Sequence, residues 1–359
     1  MKKSLLKISI ALLFVSTFAS CVEKPEETLI WNDPPTAADT LYQNPVFEPD
    51  LADPSIVRAA DGWFYAYGTE NNWSSGIHRI VPIIKSKNLT KWQYVADAFT
   101  ERPSWKTQGG VWAPDVTFVN SKYYMYYSVS TWGDSNPGIG LAISDLPYGP
   151  FVDQGKVLDS QSSGVANSID PFFIQTGLGR NKKSYLFWGS FQGIYGTELS
   201  ADLKTPVGTK FKIAGGAFEA TYIHEHNGKF YFFGSVGSCC EGADSKYHVC
   251  VAFAADIKGP YLDQMGNSIL EPGREATTLI SGSRDWGWVG PGHNAEIVTD
   301  DRGNDFFIYH AIEVKNPLLA GGATRRPLMM DRIKWVNEWP TIEGGQPSKT
   351  LQPAPYFAK

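Results

Sequence analysis

The stretch W-F-Y-A-Y-G (Trp63 to Gly68) decides the fold, because it returns in kind four more times. The later copies are Y-Y-M-Y-Y-S (Tyr123 to Ser128), S-Y-L-F-W-G (Ser184 to Gly189), K-F-Y-F-F-G (Lys229 to Gly234) and D-F-F-I-Y-H (Asp305 to His310). Each is an aromatic or aliphatic strand core ending in a small or polar residue. After each comes a further strand and a turn: I-K-S-K-N-L to Leu89, A-I-S-D-L to Leu146, E-L-S-A-D-L to Leu203, F-A-A-D-I to Ile257, and M-D-R-I to Ile333. The first four turns close at intervals of 57, 57 and 54 residues, too regular for chance. Gly or Pro interrupts nearly every stretch long enough for an amphipathic helix.

Several short strands cannot bury both faces of their sheet unless they stack on copies of themselves, and the closed solution is a β-propeller. About 300 residues divided by a repeat of about 60 predict an all-β, five-bladed β-propeller. A two-sheet sandwich is the alternative, but it does not call for five similar units.

Composition agrees. The 359 residues are 42% hydrophobic and 14% aromatic, with 35 Gly and 23 Pro, so the chain is rich in strand formers and turn makers and can bury a large core. Only 19% are charged and the formal net charge is −5, which argues against a nucleic-acid partner or an attraction to anionic lipid.

The chain opens with Lys2 and Lys3 before an apolar run from Ile8 to Phe18, too short to cross a bilayer and followed by Ala19, Ser20 and Cys21. Residues 1–20 read as a signal peptide, and Phe18-Ala19-Ser20-Cys21 resembles a bacterial lipobox that would leave Cys21 as a lipidated first residue. Residues 21–45, with Glu23, Glu26, Glu27 and Pro34-Pro35, read as a polar tether to a propeller spanning 46–359. An exported lipoprotein of the cell envelope, monomeric and touching membrane only through its anchor, is expected. Three further cysteines, Cys239, Cys240 and Cys250, cannot all pair within the chain, and no C-x-x-C spacing for structural zinc occurs.

A polar group introduces a short apolar strand ahead of each repeat: Asp53 in A-D-P-S-I-V, Asp115 in A-P-D-V-T-F, Asp170 in S-I-D-P-F-F, Glu219 in F-E-A-T-Y-I, and His293-Asn294 in P-G-H-N-A-E-I-V. The first strand of a propeller blade lines the central channel, so these positions should converge on one axis. Carboxylates gathered there repel and are partly desolvated, so at least one pKa should rise. Any single Asp-Pro is more often a turn device, but five together suggest the paired carboxyls of glycosidic hydrolysis, one protonated and one ionised. Trp73, Trp112 and Phe191 could stack on sugar rings or simply pack between blades. His224 and His226 flank Glu225 without a third ligand and read as surface.

The motifs A-D-P-S, W-A-P-D, N-S-I-D-P, F-E-A and G-P-G-H-N, in that order, look like glycoside hydrolase family 43, from about Asn44 to Pro340. More narrowly, S-C-C-E-G-A-D-S-K-Y (Ser238 to Tyr247), I-K-G-P-Y-L-D (Ile257 to Asp263) and G-S-F-Q-G-I (Gly189 to Ile194) are similar to endo-acting 1,5-α-L-arabinanases. The resemblance implies an inverting hydrolase of internal α-1,5 bonds in arabinan or arabino-oligosaccharides, with Asp53 as general base, Glu219 as general acid and Asp170 raising and orienting the acid. It makes His293 a channel histidine approaching a largely hydrated cation, usually Ca2+, with no organic cofactor. A hydrogen-bonded core role for His293 stays open. Trp112, Asn167, Ser190, Phe191, Cys239 and Cys240 fall where sugar-contacting loops emerge, and the vicinal cysteines are free thiols, a disulfide or a cleft wall. Asp115 reads as a structural acid. The loop from Val314 to Arg326 is an unusual edge of the cleft. Exo-acting arabinofuranosidase or β-xylosidase action on the same fold, or a sugar-binding lipoprotein without turnover, are the competing functions.

Overall fold

The computed structural model describes residues 40–358, and the signal peptide, Cys21 and all but the end of the tether lie outside them. Five four-stranded antiparallel sheets follow one another along the chain, the fifth carrying one extra short strand. Blade 1 contains Ser55–Arg58, Phe64–Tyr67, Pro82–Ser86 and Gln93–Asp97. Blade 2 contains Gly110–Val119, Lys122–Ser130, Gly138–Ser144 and Val152–Asp159. Blade 3 is Phe172–Thr176, Lys183–Trp188, Ile194–Leu199 and Pro206–Ala214, and blade 4 is Phe218–His226, Lys229–Val236, His248–Ala254 and Thr277–Ile280. Blade 5 is Trp288–Gly292, Asp305–Glu313, Leu328–Val336 and Trp339–Ile342, with Val298–Thr299 beside its second strand. The expected five-bladed propeller is therefore the fold, and the five aromatic repeats are the second strands. Among the described residues no helix is long and apolar enough to cross a membrane.

The second strands are apolar at successive positions because both of their faces are covered. In blade 2, Tyr123, Met125, Tyr127 and Val129 pack toward blade 1, with Tyr65, Tyr67 and Ile83, while Tyr124 and Tyr126 pack toward Phe173, Leu186 and Trp188 of blade 3. Phe64 and Ala66 turn the other way, onto Phe306, Ile308 and Met330 of blade 5. The core is thus a ring of inter-blade layers. Outermost strands alternate instead, as Val152–Asp159 does, because one face meets water.

The folded unit begins before residue 46. Leu41–Tyr42 pairs antiparallel with Gln352–Pro353, and the Asn44 side chain donates to the Met330 carbonyl at 2.9 Å and accepts from the Met330 N–H at 2.9 Å. The last residues of the expected tether belong to the propeller.

In or beside each innermost strand stands a non-glycine residue with positive φ: Asp53 (52°), Ala113 (43°), Asp170 (56°), Ala220 (57°) and His293 (41°). These are the equivalent positions around the ring. The polar residues singled out in the sequence are therefore not all in register, since Glu219 stands one residue before this point and Asp115 two after it. A side chain from the preceding blade captures the N–H at each turn of the ring. Thr69 Oγ1 accepts from Ala113 N at 2.8 Å, Ser128 Oγ from Asp170 N at 2.9 Å, Ser235 Oγ from His293 N at 2.9 Å and His310 Nδ1 from Asp53 N at 3.1 Å. At the remaining junction Asp170 itself accepts from Ala220 N at 3.2 Å. At four of the five junctions the polar end of the aromatic repeat, at or just after its last residue, is the acceptor.

Candidate active site

The left-handed positions swing Asp53, Asp170 and His293 onto the axis, beside Glu219. All four are buried or nearly so. Asp53 Oδ2 accepts from Thr69 Oγ1 at 2.6 Å, and Oδ1 lies 2.7 Å from Arg326 Nη1 and 3.3 Å from His293 Nδ1. Burial alone would raise the Asp53 carboxyl, but the Arg326 guanidinium and the His293 imidazole hold it well below the usual carboxylate range. It stays ionised.

Glu219 meets the opposite environment. Burial pushes its pKa up and the Asp53 charge adds to that, while the hydroxyls of Tyr247 and Ser190, donating to Oε1 and Oε2 at 2.7 Å each, pull against it. The net shift is upward. Asp170 is raised to about 7, chiefly by burial, with His293 opposing and the charges of Glu219 and Asp53 reinforcing it. His293 is itself raised despite burial, because Asp53, Asp170 and Glu219 all favour its charged form. His310 is held neutral by burial and by Arg326, as its Nδ1 acceptor role requires.

Ser190, one of the expected sugar contacts, grips Glu219 directly. Asn167 Nδ2 donates to the Ser190 carbonyl at 3.1 Å and so positions that loop. Phe191 follows with positive φ and a partly exposed ring. Trp112, half-buried on the innermost strand of blade 2, has its ring 5.9 Å from that of Trp132, which is 78% exposed. Cys239 and Cys240 form a vicinal disulfide at the start of the loop that ends in Tyr247. Trp73 is not a free platform, since it packs among Phe47, Tyr94 and Arg79.

Three other sequence readings resolve here. Asp115 Oδ2 accepts from Phe173 N at 2.7 Å, tying blade 2 to blade 3, and Glu296 does the same between blades 5 and 1 through Ile56 N at 2.6 Å. His224 and His226 are not plain surface but stack with Trp335, His226 at 3.7 Å between ring centroids. Arg326, expected at a cleft edge, is buried against Asp53, and Arg325, buried as well, pairs with Glu48 and Glu313.

Arg326, Tyr247, Thr69 and His310 are the site residues that sequence reasoning missed. His310 and Thr69 had a signal in the polar end of the repeat; Tyr247 closes the S-C-C-E-G-A-D-S-K-Y motif and Arg326 the Val314 to Arg326 loop, but nothing in either pointed to a contact with an acid.

A cavity of about 20 Å3 lies on the axis, lined by His293, Asn294, Asp115 and Glu296 among others. Asn294 Oδ1 is buried there without a hydrogen-bond partner among the described residues. One imidazole with orphan and acidic oxygens suits a hard cation that keeps much of its water, so these residues fit the calcium expected beside His293.

A propeller whose channel holds one carboxyl ionised and another inclined to keep its proton defines a glycoside hydrolase. The comparisons specify which. The family model for glycosyl hydrolases family 43 matches residues 42–340, and the chain belongs to that family. It is 33% identical over 304 residues to the extracellular endo-α-(1→5)-L-arabinanase 1 of Bacillus subtilis, covering 81% of this chain and 87% of that protein. It is 30% identical to the extracellular exo-α-(1→5)-L-arabinofuranosidase of Cellvibrio japonicus, over 82% of this chain and 86% of the relative. The solved α-L-arabinanase of Cellvibrio cellulosa in complex with arabinohexaose superposes with a TM-score of 0.69 at 27% identity, covering 82% of this chain and 96% of that one.

Proposed function

We propose that this protein hydrolyses internal α-1,5-L-arabinofuranosidic bonds of arabinan with inversion. The observation that carries the reading is the opposed pair of environments, Asp53 held ionised by Arg326 and Glu219 pushed toward its protonated form in the same channel. Glu219 gives its proton to the departing glycosidic oxygen as the bond breaks. Asp53 accepts a proton from the water that attacks the opposite face of the sugar. Thr69 fixes one Asp53 oxygen and Arg326 the other, so the carboxylate cannot rotate away. Asp170, anchored by the Ala220 N–H and coupled to Glu219 by mutual charge repulsion, opposes the acid's early ionisation in the fraction that is itself ionised near neutral pH. Similarity to the endo-acting Bacillus relative supports internal cleavage.

Glu219→Gln and Asp53→Asn are each expected to lose at least about a hundredfold in rate while still binding substrate. Near-normal turnover in either folded variant contradicts the assignment. Chromatography of early products from linear arabinan should give a ladder of oligosaccharides. Monosaccharide alone indicates exo action.

Calcium bound beside His293 would supply fixed positive charge to the channel. Chelation should then reduce activity, and an unchanged rate with no metal detected removes the ion. Export, with an acylated Cys21 as the mature N-terminus, is part of the same proposal. Mass spectrometry finding any other N-terminus rejects the anchor.

A further inference from the structure

The vicinal disulfide leaves Cys250 as the free cysteine among the described residues, and it is fully buried in the third strand of blade 4. Two residues earlier on the same face stands His248, and Glu275 precedes the neighbouring strand Thr277–Ile280, in which Thr278 pairs with Cys250. His248 Nε2 lies 3.3 Å from Glu275 Oε2, and a ring nitrogen of His248, the Cys250 sulfur and a Glu275 oxygen all lie within 4.8 Å of one another. None of these residues takes part in the channel chemistry.

We infer that His248, Cys250 and Glu275 form a site for a borderline-soft divalent transition metal ion, zinc by its ligand chemistry, distinct from the axial channel. Imidazole nitrogen, thiolate sulfur and carboxylate oxygen are a zinc donor set, and hard calcium would not select the sulfur. The imidazole is oriented for the task. Its Nδ1 lies 3.0 Å from the Lys246 carbonyl, which in the Nδ1–H tautomer leaves the Nε2 lone pair facing the other two ligands. In a tetrahedral zinc site the ligand atoms stand about 3.3 to 3.8 Å apart; His248 and Glu275 already meet that at 3.3 Å, and a contraction of about 1 to 1.5 Å at most toward the Cys250 sulfur completes it, with the exposed Glu275 side chain free to follow. Without metal, burial keeps Cys250 a thiol. On binding, the Sγ–H bond breaks, a sulfur–metal bond forms and the proton leaves to solvent, with no change of oxidation state. Three protein ligands leave the fourth place to water at the Glu275 side, where the site opens to solvent. The sequence concealed this arrangement because H-x-C with a glutamate far downstream matches no metal spacing.

The test is titration of purified, metal-free protein with Co2+ without reductant. One equivalent should produce a thiolate-to-cobalt charge-transfer band in the near ultraviolet, and Zn2+ should bleach it. Cys250→Ser should abolish the band, and Glu275→Gln, at an exposed position that does not threaten folding, should weaken Co2+ binding at least about tenfold. No band at saturating Co2+, a band that survives in Cys250→Ser, or undiminished affinity in Glu275→Gln overturns the assignment. In that event His248 and Glu275 are an ordinary ion pair over a buried thiol.

Discussion

Asp53 and Glu219 are both buried carboxyls in one channel, yet their surroundings drive them in opposite directions, and the difference lies in what each oxygen touches. Asp53 faces a guanidinium, whereas Glu219 faces two neutral hydroxyls. A hydroxyl donating to a carboxyl favours its ionised form, so removing Tyr247 OH should raise the Glu219 pKa further. The acid works only while protonated, and its activity is lost as pH rises through that pKa. In Tyr247→Phe the alkaline limb of the kcat/KM profile is therefore expected to move upward, by about half a unit to one unit. A limb that stays in place or moves down shows that Tyr247 does not tune the acid. The acids themselves were legible in the sequence because each stands beside a short apolar strand. Their tuners were not. Arg326 lies 273 residues from Asp53, and only ring closure brings them together.

At the scale of the strand, the functional geometry depends on a backbone irregularity repeated five times. A non-glycine residue with positive φ sits uncomfortably in a strand and takes its own N–H out of the ladder. The compensation comes from the neighbouring blade, through Thr69, Ser128, Ser235, His310 or Asp170. Ser128 has no exposed surface, and its hydroxyl is the partner of the Asp170 amide. Ser128→Ala leaves that amide buried and unsatisfied, which should destabilise the protein by about 1–3 kcal/mol in urea unfolding. Activity should fall as well, because Asp170 loses the contact that holds its turn. Stability within error of the parent protein would show that the amide finds another partner. Second and third strands were legible because continuous apolar runs mark sheets covered on both faces. The outer strands were not, since their half-exposed alternation resembles turn sequence, and the small separate hairpin of Asn71–Ser74 and Ile77–Arg79, inserted between the second and third strands of blade 1, left no signal.

Around the whole ring, each blade buries its faces against two neighbours, so the junction between the first and last blades has to be as well made as the others. It draws the two ends of the domain together. Val46 N donates to the Leu328 carbonyl at 2.9 Å, Leu51 N to Arg326 at 3.1 Å, and Tyr42 OH to Met330 at 2.9 Å. Asn44 is the central fastener, because its amide satisfies both the N–H and the carbonyl of Met330 and also reaches Ser348 Oγ at 3.0 Å. This segment also delivers Asp50, whose Oδ1 accepts from Arg326 N at 2.6 Å, so the fastening reaches the arginine that keeps Asp53 ionised. Asn44→Ala strips the buried Met330 N–H of its partner and leaves the Met330 carbonyl to Tyr42 OH alone, which should cost about 1–3 kcal/mol. Gln43→Ala, next to it but exposed, should stay within about 0.5 kcal/mol of the parent. Equal losses in the two variants, measured by urea unfolding, would mean that the segment closes the ring by backbone pairing alone and that the buried amide contributes nothing specific.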